Sequence, residues 1–230
     1  MDRKTPFIVF EGIDNSGKTS ISQEVYKALL FDHINLIKQE KKSPELRGYL
    51  NAALWEWYKE PTFTTQEADR LNYLSGKGVS SQEEREALFL KSRISQSSKY
   101  IKSATVLDRY CWTGLAYAKV FSPSVFDFVS HIYGSTSEIL PCPDITFFVD
   151  TPLSTCVARE PGINEESLSL LQQAYKDTRD LTLGNEGVVY ISGEGSLAQN
   201  VKSALNILVD HPCLDSRNAL TEEYPWRLFL

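Results

Sequence analysis

The sequence has no C-x-x-C pair among its 4 cysteines, Cys111, Cys142, Cys156 and Cys213, and its 3 histidines, His33, His131 and His211, lie near no cysteine pair. Those spacings match none of the usual zinc-site patterns, and they fit free thiols in a reduced intracellular compartment. No stretch approaches the roughly 18 consecutive apolar residues of a membrane span. Met1 to Pro6 runs almost directly into an apolar stretch, so no secretory leader is expected. A cytoplasmic location is the expectation, with a nuclear or organellar one also open. Positive charge is in short supply: 24 Lys and Arg face 30 Asp and Glu, for a net charge of −6. That balance argues against a surface that coats nucleic acid, while leaving room for a locally basic cleft. There is no N-K-x-D guanine motif, no internal repeat and no low-complexity segment.

What is present is an ordinary globular composition, 42% hydrophobic and 23% charged over 230 residues. It suits one α/β domain over residues 1–212, with an excursion around 59–80 and a tail at 213–230. The informative stretch is Gly12-Ile13-Asp14-Asn15-Ser16-Gly17-Lys18-Thr19, which fits G-x-x-x-x-G-K-[ST]. It follows the β-forming run Phe7–Phe10 and precedes a helical pattern with Ile21, Val25, Ala28 and Leu29 at helical spacing. A strand-to-helix turn of this kind points backbone N–H groups at phosphate oxygens. Lys18 then supplies a point charge at the β/γ-phosphates, and the Thr19 hydroxyl is a candidate Mg²⁺ ligand.

Further along, Ile34–Lys38 reads as a second strand, which makes a βαβ unit and a mainly parallel sheet. Ser43 and Pro44 then suit the start of a helix running to about Tyr58. Lys41-Lys42, leaving that strand's end, fits either a ligand contact or a solvated turn. Ser81 and Glu84 suggest a capping box before a long helix to about Lys102. On that helix Phe89 and Arg93 are four residues apart, so they share a face. The pair suits stacking and edge recognition of a base, and equally a core phenylalanine beside a surface arginine. Thr105–Leu107 reads as a strand expected beside the first, and it ends in Asp108-Arg109-Tyr110. Asp108 there can serve a metal and Arg109 can bridge phosphates, or the two can form a structural salt bridge. A fourth strand at Ile145–Asp150 leads to a short helix ending near Arg159. A Pro-Gly turn follows at Glu160–Asn164, suited to a mobile flap or a plain loop, then a helix from Glu165 to about Thr182. Val188–Ile191 and Leu197–Val209 close the pattern as strand and helix. The whole predicts a three-layer α/β sandwich with a five-stranded parallel sheet.

With these residues laid out, the chain resembles the thymidylate kinase family, P-loop NTPase-fold enzymes that phosphorylate dTMP with ATP. The resemblance runs over roughly residues 5–210. It rests on Phe10-Glu11-Gly12-Ile13-Asp14 with Gly17-Lys18-Thr19, on Phe89 with Arg93, on Asp108-Arg109-Tyr110 followed by Thr113-Gly114 and Ala116-Tyr117, and on Pro143-Asp144 and Arg159. It implies an ATP-phosphate cradle of Gly12, Asn15, Ser16, Gly17, Lys18, Thr19 and Ser20, with Arg159 covering the adenine. It implies Mg²⁺ at Thr19 and Asp108, and a dTMP site of Asp14, Lys42, Phe89, Arg93, Arg109, Thr113 and Tyr117. Phe89 would stack on thymine, Arg93 would bond its carbonyl edge, and Tyr117 would pack where a ribose 2′-hydroxyl is disfavoured. Lys18, Arg109 and Asp14 would carry catalysis. The family forms homodimers, and the apolar helix faces around Phe89 and Leu115 are compatible with that.

Two departures stand out. The family's F-[PQ]-x-R after the second strand is replaced by Gln39-Glu40-Lys41-Lys42, leaving only Lys42 to meet the acceptor phosphate. A catalytic arginine in the P-loop or the flap is also expected, yet position 15 is Asn15 and no arginine lies between Glu160 and Thr178. The expected function is dTMP phosphorylation to dTDP. A kinase of another (deoxy)nucleotide, or a nucleotide-binding and catalytically weak family member, is the alternative.

Overall fold

Phe7–Glu11 is buried along its whole length, as a central strand covered on both faces must be. In the computed structural model, which describes residues 5–40, 55–62, 64–75, 82–135, 140–181, 187–209 and 211, this strand (β1) is the middle of a five-stranded sheet. Its neighbours are β3 (Ala104–Asp108) and β4 (Ile145–Asp150), with β2 (Trp55–Lys59) and β5 (Val188–Ser192) outermost, in the order β2-β3-β1-β4-β5. All pairings are parallel, with Phe10 opposite Asp108 on one side and Phe147 on the other. Every strand therefore ends at the same edge, and the chain leaves β1 between strands reached by crossovers in opposite directions. That is where open α/β sheets bind ligands.

Side chains alternate across the sheet. Ile8 and Phe10 pack with Ile21, Val25 and Leu29 of α1 (Lys18–Glu40) and Val201, Leu205 and Leu208 of α8 (Leu197–Val209). Phe7, Val9 and Leu107 face the other way, onto Tyr100 of α3 (Gln82–Lys102), Leu115 of α4 (Cys111–Phe121) and Val129 of α5 (Phe126–Ser135). A third cluster joins Trp112 to Leu168, Leu171 and Tyr175 of α7 (Glu165–Thr178), near the short α6 (Leu153–Arg159). Helices thus cover both faces, as expected. Among the described residues no helix is long and apolar enough to cross a membrane.

The region between α1 and β2 corrects the sequence reading. Ile34–Lys38 is helix, because α1 runs on to Glu40. No proline or glycine interrupts it, and Leu29, Leu36 and Ile37 keep helical spacing. The second strand lies instead at Trp55–Lys59, where a helix was expected to end. Its aromatic residues suit a strand, and it pairs with β3 from Trp55↔Ala104 to Lys59↔Asp108. Lys42, Ser43, Pro44, Ser81 and the 213–230 tail lie outside the described residues. Within the 59–80 stretch, Thr64 caps α2 (Thr65–Ser75): its hydroxyl accepts from Glu67 N–H at 3.3 Å while Glu67 accepts from Thr64 N–H at 3.1 Å. The flap helix α7 ends at Thr178 and continues as a 3-10 turn, Arg179–Leu181, rather than reaching Thr182 as α-helix. Leu115 is fully buried in the core, so it offers no surface to a second subunit.

Candidate active site

The loop after β1 is built for close backbone packing. Gly12 has φ +147°, and a Cβ there would lie 2.9 Å from both Ser16 Oγ and the Val149 carbonyl oxygen. Asn15 sits in the left-handed region, at φ 62°. Lys18 is almost wholly buried, and its Nζ donates to the Ile13 carbonyl at 2.9 Å. Burial lowers its pKa from the ordinary 10.5 to about 8, with the nearby Arg109 guanidinium adding to the fall and Asp108, Asp14 and Glu11 opposing it.

The loop is held by the ends of the neighbouring elements. Thr151, just past β4, donates its hydroxyl to the Ser16 carbonyl at 2.9 Å, and Tyr175 on α7 donates to the Gly12 carbonyl at 3.0 Å. Arg159, at the end of α6, donates to the Asn15 carbonyl at 2.9 Å and to the Gly193 carbonyl at 2.7 Å. Asn15 Nδ2 reaches the Cys156 carbonyl at 3.5 Å, and Ser20 is exposed on the first turn of α1.

Thr19 and Asp108 meet, the hydroxyl donating to Asp108 Oδ2 at 2.5 Å. The other carboxylate oxygen of Asp108 and the hydroxyl of Ser16 are buried without a hydrogen-bond partner. A hydroxyl and a carboxylate are hard oxygen donors. They fit a small divalent cation that takes its other ligands from phosphate and water. Among the described residues no cluster of three or more His, Cys, Asp or Glu side chains forms an all-protein metal cage.

On the other side of the loop lies a cavity of about 250 Å³, lined by Pro61, Glu86, Phe89, Arg93, Arg109, Thr113, Gly114 and Tyr117. Phe89, Arg93, Arg109, Thr113 and Tyr117, singled out in the sequence, are thus gathered in one place. At its mouth Arg109 forms an ion pair with Asp14, and the Tyr117 hydroxyl donates to the same carboxylate. Burial pushes the Asp14 carboxyl up, but Arg109, the Tyr117 hydroxyl and Lys18 outweigh it and hold the group below its ordinary range. Arg109 itself is left-handed, at φ 74°, and its guanidinium lies 5.5 Å from the centre of the Tyr117 ring.

Several participants are given no role by the sequence, although Glu11 is part of the Phe10–Asp14 motif. Glu11, buried at the end of β1, accepts from Tyr110 N–H at 2.9 Å and Thr113 N–H at 3.2 Å, and from the Thr113 hydroxyl. It satisfies donors at the start of α4, where Tyr110 offers no side-chain cap. Burial pushes its carboxyl up, and the Thr113 bonds oppose that. Thr113 is further engaged by the Tyr175 hydroxyl at 2.6 Å. Glu60 and Tyr133, which flank Arg93, also went unread. The only sequence hint was the Glu60-Pro61 dipeptide, a turn signal that the structure places beside the cavity.

The basic groups close to the loop among the described residues are Lys18, Arg109 and Arg159. The turn at 160–164 brings none: Glu160 and Glu165 flank it, and Asn164 caps α7 by accepting from Ser167 N–H at 2.8 Å.

Comparison with known proteins agrees with this geometry. The family model described as thymidylate kinase matches residues 10–204. A probable thymidylate kinase of Sulfolobus acidocaldarius is 24% identical over 215 residues, which cover 87% of this chain and 95% of that protein. A thymidylate kinase of Akkermansia muciniphila is 29% identical over 166 residues, covering 69% of this chain and 68% of that one. The crystal structure of thymidylate kinase from Ehrlichia chaffeensis superposes with a TM-score of 0.52 at 20% identity, over 89% of this chain and 98% of that one, and so shares the fold.

Proposed function

The chain belongs to the thymidylate kinase family, and we propose that it transfers the γ-phosphoryl group of ATP to the 5′-phosphate of dTMP, giving dTDP and ADP. One observation carries the reading. A cavity of about 250 Å³ has Phe89, Arg93 and Arg109 in its wall, and Arg109 is paired with Asp14 of the loop that leads to Lys18.

Catalysis of this kind is mainly positioning and charge stabilisation. The loop amides and Lys18 bind the donor phosphates, Lys18 exchanging the Ile13 carbonyl for phosphate oxygen. Arg159 lies over the outer side of the loop, where the adenine would stack. Phe89 stacks on thymine, Arg93 donates to its carbonyl edge, and Tyr117 fills the space beside C2′ of the sugar. Arg109 leaves Asp14 to bridge the two sets of phosphates, while Asp14 turns to the sugar. Thr19 and Asp108 would hold Mg²⁺, which supplies charge neutralisation at the β- and γ-phosphates. An acceptor phosphate oxygen is nucleophilic near neutral pH, so no general base is needed. Lys42 remains a candidate for the acceptor phosphate by family resemblance alone, because the strand it was thought to follow is helix.

A coupled assay of ADP release with ATP and a panel of dTMP, dUMP, dCMP, dGMP and thymidine tests the reading. Preference for dTMP is the expected outcome, and preference for thymidine would overturn the monophosphate assignment. A second reading, a nucleotide binder with weak catalysis, is favoured by Asn15 and by the absence of any basic residue from 160 to 175. It predicts tight nucleotide binding with negligible dTDP formation. A homodimer, expected from the family, would need surface other than Leu115; Phe121 and Phe128 are 40% and 55% exposed. Light scattering measures it.

A further inference from the structure

Arg93 is only 1% exposed although it lines the base cavity. Two groups from distant parts of the chain hold it. Tyr133 of α5 accepts from Arg93 Nη1 at 2.5 Å, and its ring centre lies 5.7 Å from the guanidinium carbon. Glu60, just past β2, places Oε2 3.5 Å from Arg93 Nε. Glu60 is itself pinned: its N–H donates to the Asp108 carbonyl at 2.9 Å, and the Tyr100 hydroxyl donates to Oε1. Tyr100 is fully buried and stacked on Phe7. Room for the Tyr133 hydroxyl exists because residue 114 is glycine. A Cβ there would lie 2.5 Å from that hydroxyl oxygen and 3.1 Å from Arg93 Nη1.

Glu60 Oε2 and Arg93 Nε are both buried without a hydrogen-bond partner. Their pairing is therefore one of charge, and it fixes the direction of the guanidinium more than it saturates it. Two edges of the fork are occupied by protein groups, and the rest is left for a ligand. A fixed donor fork accepts a carbonyl and rejects an amino group at the same place, because the rejected partner leaves buried donors unpaired. A fork free to swing would discriminate less.

We propose that Glu60, Tyr133 and the bare backbone of Gly114 are positioning elements for base recognition: they aim Arg93 at the 4-carbonyl of the pyrimidine and thereby set its preference over a 4-amino base. This rests on Arg93 as the residue that reads the base edge.

The test measures dissociation constants for dTMP and dCMP, the KM for ATP and the melting temperature in Tyr133→Phe, Glu60→Gln and Arg93→Lys proteins. Tyr133→Phe removes one hydroxyl. It is expected to weaken dTMP roughly tenfold and to narrow the dTMP/dCMP ratio by a similar factor, with the KM for ATP within about twofold of the parent. Glu60→Gln should move the ratio in the same direction, and it decides the matter should Tyr133→Phe fail to fold. If Arg93→Lys collapses the ratio while both other variants keep it, the positioning role is overturned and the reading of Arg93 stands. If Arg93→Lys leaves the ratio unchanged, the reading of Arg93 fails and takes the positioning role with it. Equal weakening of dTMP and dCMP in Tyr133→Phe would mark a structural residue only and would also overturn the proposal.

Discussion

Asp14 and Arg109, 95 residues apart in sequence, close an ion pair across the mouth of the cavity. The pairing of β1 with β3 puts them there: Phe10 lies opposite Asp108, and the Arg109 N–H donates to the Phe10 carbonyl at 2.9 Å. The acidic and basic groups assigned to the acceptor thus neutralise each other. Substrate phosphate would then compete with Asp14 for Arg109, so part of its binding energy goes into separating this pair.

Replacing Lys18 by alanine should lower kcat by orders of magnitude. The loss of one preorganised charge at the transferred group is worth roughly 3–4 kcal/mol, or several hundredfold. Steady-state turnover at saturating dTMP and ATP measures it, and near-normal turnover would sink the assignment.

The same lysine sets an alkaline limit. Its pKa in the nucleotide-free protein is lowered to about 8, so the free enzyme loses this charge as pH rises through that value. The profile of kcat/KM for ATP should fall above about pH 8, because that parameter reports the free enzyme. Bound phosphates favour the ammonium form, so kcat at saturating ATP should hold to higher pH. Coincident alkaline limbs for the two parameters would contradict the lysine as their source.

Asn15→Arg restores a cation where the family resemblance expects one. A gain in kcat of at least about tenfold is expected, since arginines at transferring phosphates are worth more than that elsewhere. The left-handed backbone at position 15, φ 62°, suits asparagine better than arginine. The substitution should therefore cost about 1 kcal/mol and roughly 2–4 °C in Tm. Unchanged turnover in a folded variant would show that the asparagine is not a catalytic deficit.

Glu11→Ala tests the link between β1 and α4. The change strands the Tyr110 and Thr113 N–H groups in the interior, at about 3 kcal/mol in total. Calorimetry should show a Tm lower by roughly 6–12 °C, with nucleotide affinity reduced because Thr113 loses its anchor. A shift of a degree or less would mean that water replaces the carboxylate.

The parts of the molecule that the sequence disclosed are those specified locally. Gly12, Gly17, Lys18 and Thr19 announce the phosphate loop because a strand-to-helix turn around phosphates needs them within a few residues. The stretch from β4 to α8 was legible for a similar reason: Pro152, Pro161-Gly162 and Gly193 punctuate it, and the apolar periods between are unbroken. Residues 34–38 and 55–59 were misread because nothing local separates helix from strand there. Ile34–Ile37 is a short apolar run that either period accepts, and Trp55–Lys59 becomes a strand by pairing with β3. The holders of Arg93 were invisible for the same reason. Tyr133 meets it from 40 residues away, and Tyr100 meets Glu60 across the same separation. Such contacts belong to the packing of α3 against α5 and β2, which no spacing rule expresses.

The strand order carries a consequence for how the molecule can change over time. Phe89, Arg93, Arg109, Thr113 and Tyr117 lie on the β2-β3 flank and the helices beside it, while Thr151, Arg159 and Gly193 lie on the β4-β5 flank. The loop after β1 touches both, through Asp14 to Arg109 and through the Asn15 carbonyl to Arg159, and Asp108 and Arg109 at the end of β3 reach its phosphate-binding side as well. Inheritance of the two specificities is therefore separable. A descendant could drift to a new acceptor base by altering α3 and α4 on one wing of the sheet and leave its donor untouched, provided that the central loop, Asp108 and Arg109 stayed as they are.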